Sequence, residues 1–298
     1  MIAAIAISRT VPMVGAFVKL MRPRQWIKNG FVLAPLIFAG LFTDPTAIFD
    51  AFAATALFCI GSSTAYIIND YADIERDRQH PVKSKTRPLA AGLITKPQAL
   101  SLLVALYALL AVGYLYQPVV VPVIGAYLVL NLAYTFLLKH HPVVDIFTIA
   151  IGFVARVYVG ALAISVPLSS WMFVTTLCLA LYLAAIKRRQ ELLQSVPENG
   201  VATRGVLEQY SVALVERYAE MSATGALLFY SLFVMTARPE LVITIPIVLF
   251  GMFRYWYVVE ELDGGESPTD ALLTDWQLFL GVALWIGASG WALWPGIA

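Results

Sequence analysis

Charge is scarce in this chain. Of 298 residues only 13% are Asp, Glu, Lys or Arg, while 60% are hydrophobic, and the mean hydropathy is +0.77. A soluble domain of this length has no use for so much apolar surface. Cysteine is nearly absent. Cys59 and Cys178 both lie inside apolar runs, which speaks against a disulfide framework and against a metal site. The three histidines, His80, His140 and His141, lack metal-ligand spacing. No Ser/His/Asp or Cys/His arrangement stands out, so a protein nucleophile is not indicated. Low-complexity tracts, long linkers and short-period repeats are missing as well. Arg9 interrupts the first apolar stretch and no separate basic region precedes it, so no cleavable leader is expected. Residues 1–20 read as an interfacial helix or a loose segment.

What remains is a series of apolar runs of about 20 residues, each long enough to cross a bilayer core as a helix. Helices are required because lipid cannot satisfy free backbone groups. The runs fall near 30–48, 51–69, 98–116, 119–138, 143–165, 169–187, 219–237, 241–258 and 276–294. The expected fold is all-α and integral to the membrane. About nine transmembrane helices form one bundle around a central cavity, and the whole chain, 1–298, is one domain. Segments 70–97, 188–218 and 259–275 are its long polar loops. Of 20 Lys and Arg, only Arg238 falls in the short links of one side. Arg9 and Arg156 lie in apolar stretches, and the remaining seventeen collect on the other side. The positive-inside rule then puts the amino terminus and the long loops in the cytoplasm and the carboxy terminus outside. A bacterial cytoplasmic membrane is the expected location.

The densest charge lies in residues 69–92, NDYADIERDRQHPVKSKTRPLAAG. Asp70, Asp73 and Asp77 follow i, i+3, i+7 spacing, which sets three carboxylates on one face of a continuous helix, beside Asn69. Like charges so placed repel, and a shared cation relieves the cost. Mg²⁺ is the natural candidate, since it binds through one or two carboxylates together with substrate phosphates. Behind the acids come Arg76, Arg78, Lys83, Lys85 and Arg87, which can hold phosphate directly. Acid face and basic tail together read as a site for a magnesium-bound diphosphate. An ordinary solvated loop is the bland alternative.

Other polar residues sit where lipid would not tolerate them. Arg156 falls mid-span, where a charge costs at least ~2.5 kcal/mol on insertion scales, so it should face the bundle interior or a cavity, with a structural ion pair to a carboxylate of another helix as the bland alternative. Asp145, Gly152 and Arg156 share a face of that helix. Lys187, Arg188, Arg189 and Glu191 end the next span, with Lys187 deepest. Simple interfacial anchoring also explains Arg188 and Arg189. Arg22 and Lys28 precede the first span, beside Trp26. Gly264, Gly265 and Pro268 mark a turn in an acidic loop that is either a lid or a plain connection.

The pattern NDxxDxxxD at Asn69, Asp70, Asp73 and Asp77, with RPxQWxKN at Arg22–Asn29 and RPLAAG at Arg87–Gly92, resembles the UbiA superfamily of membrane prenyltransferases. The resemblance covers essentially the whole chain and implies Mg²⁺ and a diphosphate donor at the first motif. The superfamily's second aspartate motif is replaced here by LYLAAIKRRQELLQ. The chain looks more like the branch that transfers phosphoribosyl to decaprenyl phosphate. Asp145, Gly152, Phe153, Arg156, Gly160 and Ala163 match that branch's DxxxxxxGFxxRxxxGxxA helix. Arg254, Tyr255, Gly264, Gly265, Glu266, Ser267 and Pro268 match its loop.

This resemblance implies phosphoribosyl diphosphate as donor, a polyprenyl phosphate as acceptor and pyrophosphate as product. It implies metal ligation by Asn69, Asp70, Asp73 and Asp77. Asp73, Asp77, Arg156 and Lys187 are then candidate catalytic groups. Arg22, Lys28, Lys83, Lys85, Arg87, Asp145, Arg156, Lys187, Arg188 and Glu191 are candidate substrate contacts. The acceptor phosphate is already an anion, so no strong general base is needed. The lipid bilayer is the other partner; no nucleic acid is expected, and a homo-oligomer is left open. Competing readings are isoprenyl transfer to an aromatic or other small acceptor, and a transporter built around Arg156. The transporter reading calls for paired broken helices in two halves, and no such pairing is evident.

Overall fold

The computed structural model describes residues 13–194, 205–262 and 268–295. Expectations that fall on residues 1–12, and on Gly264, Gly265, Glu266 and Ser267, lie outside the described residues. Within them the chain is helical throughout, with no strand. Helix α1 (Met13–Met21) leads into a 3-10 segment, Pro23–Leu33, and the short α2 (Ala34–Phe38). Then come α3 (Pro45–Ala72), α4 (Ile74–Gln79), α5 (Lys83–Thr86), α6 (Lys96–Tyr116) and α7 (Val120–Phe136). The rest is α8 (Val144–Ala163), α9 (Ser170–Gln194), α10 (Val212–Ala237), α11 (Ile245–Glu261), α12 (Pro268–Thr274) and α13 (Trp276–Ala292).

Local chemistry sets the helix starts. Asp44 accepts from the Thr46 N–H at 2.8 Å to cap α3, and Pro45 follows at the position where a missing N–H costs nothing. Thr95 and Gln98 form a capping box on α6. Ser211 caps α10 and Asp275 caps α13.

Not every expected span is a single long helix. Among the described residues six helices are long and apolar enough to cross a bilayer, or seven if α12 and α13, bent by 95°, count as one. α7 has only 17 residues, and no long helix covers 30–48. There the chain runs as the last four residues of the 3-10 segment, 30–33, the five of α2, and a turn that leads into α3. The tighter winding permits close packing on α8. A Cβ on Gly160 would lie 1.9 Å from the Val32 carbonyl oxygen, so only glycine lets the two backbones meet there.

Apolar clusters hold the bundle. Val32, Phe58, Ile124 and Val159 pack between the 3-10 segment, α3, α7 and α8. Tyr182, Ile186, Val215 and Tyr255 join α9, α10 and α11. A cavity of about 400 Å³ opens at the end where Phe38, Val166, Met172 and Arg238 lie. The carboxyl ends of α3 and α9, the amino end of α8 and the start of the 3-10 segment gather at the opposite end.

Candidate active site

The acidic motif does not sit on one continuous helix. α3 ends at Ala72, Asp73 (φ −95°, ψ 8°) is the junction, and α4 restarts at Ile74. The expectation of three carboxylates on one face is corrected accordingly. Asp70 and Asp77 are buried and share a partner, while half-buried Asp73 engages others. Arg87 Nη1 donates to Asp70 Oδ1 at 2.8 Å and to Asp77 Oδ2 at 2.5 Å. Arg22 Nη2 also donates to Asp70 Oδ1, and its guanidinium lies 5.1 Å from the Tyr66 ring centroid. Asp70 Oδ2 is buried and accepts no hydrogen bond from the described residues. Asp73 takes Arg76 at 3.0 Å and Lys139 at 3.9 Å. Asn69 Oδ1 accepts from the Thr135 hydroxyl at 3.5 Å. Lys83 is half-buried on α5 and Lys85 is exposed.

Next to this centre stands a cluster of cations. Lys28 Nζ donates to Gln25 Oε1 at 2.6 Å. Burial first, then the like charges of Lys187 and Arg156, pull the Lys28 ammonium down from 10.5 to about 7. Lys187 keeps 40% of its side chain exposed and lies 3.9 Å from Glu191.

Arg156 is buried, as mid-span placement required, and its partners are neutral. Its Nε donates to Asn29 Oδ1 at 2.9 Å, Nη1 to the Gly152 carbonyl at 2.6 Å and Nη2 to the Tyr127 hydroxyl at 3.2 Å. Phe58, Tyr127 and Phe153 present ring faces to it at 4.8–5.2 Å. It faces the bundle interior, as expected, and no carboxylate partner appears among the described residues. Asn29 in turn donates to Ser62 at 3.1 Å and Cys59 at 3.2 Å, and Trp26 donates to Ser63 at 3.1 Å. These bonds stitch the 3-10 segment to α3 and α8, and so fix where Arg22 and Lys28 stand.

Arg188 and Asp145 differ from the expectation that they meet substrate. Both are buried, and Arg188 Nε donates to Asp145 Oδ2 at 2.6 Å. Arg188 also holds Glu191 and donates to the Tyr134 hydroxyl at 3.0 Å. Their geometry is that of a clamp between α8 and α9, which leaves Lys187 as the outward-facing cation. Tyr210, which drew no notice in the sequence, completes it. Its hydroxyl accepts from the Val143 N–H at 2.6 Å and donates to Asp145 Oδ1 at 2.7 Å. Burial first, and the bond to Asp145 second, push the Tyr210 phenol well above its ordinary value, so it stays a donor. Val143 sits at φ 68°, a costly conformation for a β-branched residue that this contact helps hold.

Among the described residues no three acidic, histidine or cysteine side chains converge into a ready-made metal cage. The donor set nevertheless suits Mg²⁺, which takes one or two carboxylates and relies on substrate phosphate for further ligands. Asp70 and Asp77 already converge on a single cationic nitrogen, and the unpartnered Asp70 Oδ2 is an acceptor in waiting.

The model of the UbiA prenyltransferase family matches residues 32–273. The chain is 34% identical over 282 residues to a Corynebacterium glutamicum protein named decaprenyl-phosphate phosphoribosyltransferase, covering 90% of this chain and 84% of that protein. A protein of the same name from Mycolicibacterium smegmatis is 33% identical over 303 residues, covering 95% and 93%. Among solved structures, a UbiA homologue from Archaeoglobus fulgidus bound to GPP and Mg²⁺ superposes with a TM-score of 0.70 at 18% identity, covering 93% of this chain and 99% of that one. Fold, apolar helices and relatives together define a membrane-embedded, multi-pass transferase. The chain belongs to the UbiA prenyltransferase family.

Proposed function

We propose that this protein transfers 5-phosphoribosyl from phosphoribosyl diphosphate to a polyprenyl phosphate of the decaprenyl type, releasing pyrophosphate, with Mg²⁺ as cofactor. The observation that carries this reading is the end of α9. There Lys187, Arg188 and Arg189 stand where the superfamily's second aspartate motif would fall, and Lys187 keeps 40% of its side chain exposed. A donor with one more phosphate than an isoprenyl diphosphate needs cations at that place. Relatives named decaprenyl-phosphate phosphoribosyltransferase support the same substrates.

In the reaction the bond from the anomeric carbon to the pyrophosphate oxygen breaks, and the leaving group keeps the electron pair. A phosphate oxygen of the acceptor forms the new bond at that carbon. Asn69, Asp70, Asp73 and Asp77 would hold Mg²⁺, which when bound would supply positive charge against the leaving group. Arg22 and Arg87 grip the same diphosphate as forks. Lys28 and Lys187 hold the remaining phosphate groups as point charges, with Lys83 and Lys85 at the approach. Arg156 acts through Asn29, and Asp145, Arg188 and Glu191 act by aiming Lys187, so these are positioning residues. We read the whole chain as one domain of a bacterial cytoplasmic membrane, with site and amino terminus on the cytoplasmic side.

Equilibrium binding tests the donor. Detergent-purified protein with magnesium should retain labelled phosphoribosyl diphosphate and release it to excess unlabelled compound, but not to a prenyl diphosphate. Retention of the prenyl diphosphate instead would favour isoprenyl transfer to a small acceptor.

A further inference from the structure

Arg87 Nη1 lies between the carboxylates of Asp70 and Asp77. It is within hydrogen-bond distance of both carboxylates, 2.8 and 2.5 Å, and it bridges residues from two different helices. Arg22 adds a second cation to the same Asp70 oxygen. The distribution is lopsided: both arginines fall on Oδ1 of Asp70, while Oδ2 of the same buried carboxylate accepts nothing from the described residues. A buried carboxylate oxygen without a partner carries a full desolvation penalty, so it marks a place for a ligand. Arg87 is also a fork with five donors, of which the carboxylates engage one nitrogen. It keeps 20% of its side chain exposed, at the rim of the centre.

We propose that Arg87 is an exchangeable counter-ion for the divalent cation. Its guanidinium and the metal compete for Asp70 and Asp77, and the donor's diphosphate resolves the competition by taking the guanidinium. The inference rests on the metal-binding part of the proposed function and goes beyond it. Metal alone must displace a cation that has nowhere better to go. Metal arriving with diphosphate brings an anion that receives the displaced fork, and charge-assisted bidentate pairing with phosphate is what arginine does best. The two ligands therefore bind with positive coupling, and Arg87 is the residue that couples them. Coupling of this kind is reciprocal, so pyrophosphate alone should also bind poorly.

The test is Mn²⁺ binding to the detergent-purified full chain with and without inorganic pyrophosphate, read as protein-retained manganese after rapid desalting and corrected by protein-free solutions of the same manganese and pyrophosphate content. Wild type should bind Mn²⁺ weakly alone and about tenfold or more tightly with pyrophosphate. In Arg87→Gln, Mn²⁺ alone should bind about tenfold more tightly than to wild type, and the gain from pyrophosphate should shrink. If Arg87→Gln fails to fold, Arg87→Lys serves, because a single ammonium bridges two carboxylates less well than a guanidinium. Unchanged or weaker binding of Mn²⁺ alone to a folded variant would overturn the exchange while leaving the metal site intact. Equal Mn²⁺ affinity with and without pyrophosphate in wild type would overturn it as well. No Mn²⁺ binding under any condition would overturn the metal site, and the exchange with it.

Discussion

Arg188 Nε donates to Asp145 Oδ2 at 2.6 Å, and both residues are almost wholly removed from solvent. The pair locks the amino end of α8 to the carboxyl half of α9, one residue from Lys187. Breaking a buried pair by removing one partner leaves an uncompensated charge. Arg188→Met should therefore destabilise the protein by about 3–5 kcal/mol. The double variant Asp145→Leu with Arg188→Met should recover much of that loss, because a packed apolar pair replaces both charges. Unfolding midpoints in detergent check this; a double variant as unstable as the single one would count against the clamp. Activity should stay low in the double variant, since Lys187 loses its aim.

The depressed ammonium of Lys28 makes a signed prediction. Its folded value of about 7 lies below the ordinary 10.5, chiefly through burial, then Lys187 and Arg156, with Arg22 adding and Asp270 opposing. Between those values the unfolded chain holds the extra proton, so this group's contribution to stability rises with pH from about 7 toward 10.5. Anion binding runs the other way. A phosphate beside Lys28 favours the charged form, so binding above about pH 7 takes up a proton and weakens as pH rises. Calorimetry at about pH 8, in buffers of different ionisation enthalpy, should show proton uptake on binding magnesium phosphoribosyl diphosphate. Lys28→Gln should abolish the uptake. Equal uptake in both proteins would assign the proton elsewhere.

Two glycines of α8 separate backbone packing from the site. A Cβ on Gly160 would meet the Val32 carbonyl oxygen at 1.9 Å, a backbone atom that cannot step aside. Gly160→Ala should cost about 1–3 kcal/mol or more by overpacking, and should displace the segment that carries Arg22 and Lys28. At Gly152 the nearest atoms, on Tyr127 and Arg156, lie at 3.5 and 3.6 Å, so Gly152→Ala should fold nearly as well as wild type. Thermal midpoints of the two variants check the contrast, and equal midpoints would contradict it.

Asp73 is the half-buried member of the acidic motif, held by Arg76 and Lys139 at the α3–α4 junction. Asp73→Ala should abolish transfer while the protein stays folded in membranes. Turnover like that of wild type would remove Asp73 from the metal set. Asp70→Ala should do more damage, because it takes a buried carboxylate from both Arg22 and Arg87 and leaves Arg87 to Asp77.

Much of this was legible in the sequence, and the misses have physical causes. Apolar run length revealed the membrane bundle, and the acidic motif with its basic tail pointed to the site. The run at 30–48 was legible as apolar but its 3-10 start was not, since hydropathy does not register how tightly the chain winds. The helix break at Asp73 was hidden because i, i+3, i+7 spacing is the same whether or not the helix restarts. Arg188 was read as a substrate contact because adjacent cations look alike in one dimension. Only the fold decides that Arg188 turns inward to Asp145, 43 positions away, while Lys187 turns out. Tyr210 left no trace, since its partners Val143 and Asp145 are more than 60 positions distant. Asn29 left a trace in the RPRQWIKN motif, but its tie to Arg156 spans 127 positions.

The most direct measurement is turnover. Purified protein, magnesium, a polyprenyl phosphate and phosphoribosyl diphosphate labelled in the ribose would be incubated and extracted into organic solvent. Magnesium-dependent label in the lipid phase, lost in Asp73→Ala, is the expected result. No label in lipid, together with consumption of a prenyl diphosphate against an aromatic acid under the same conditions, would contradict the phosphoribosyl assignment.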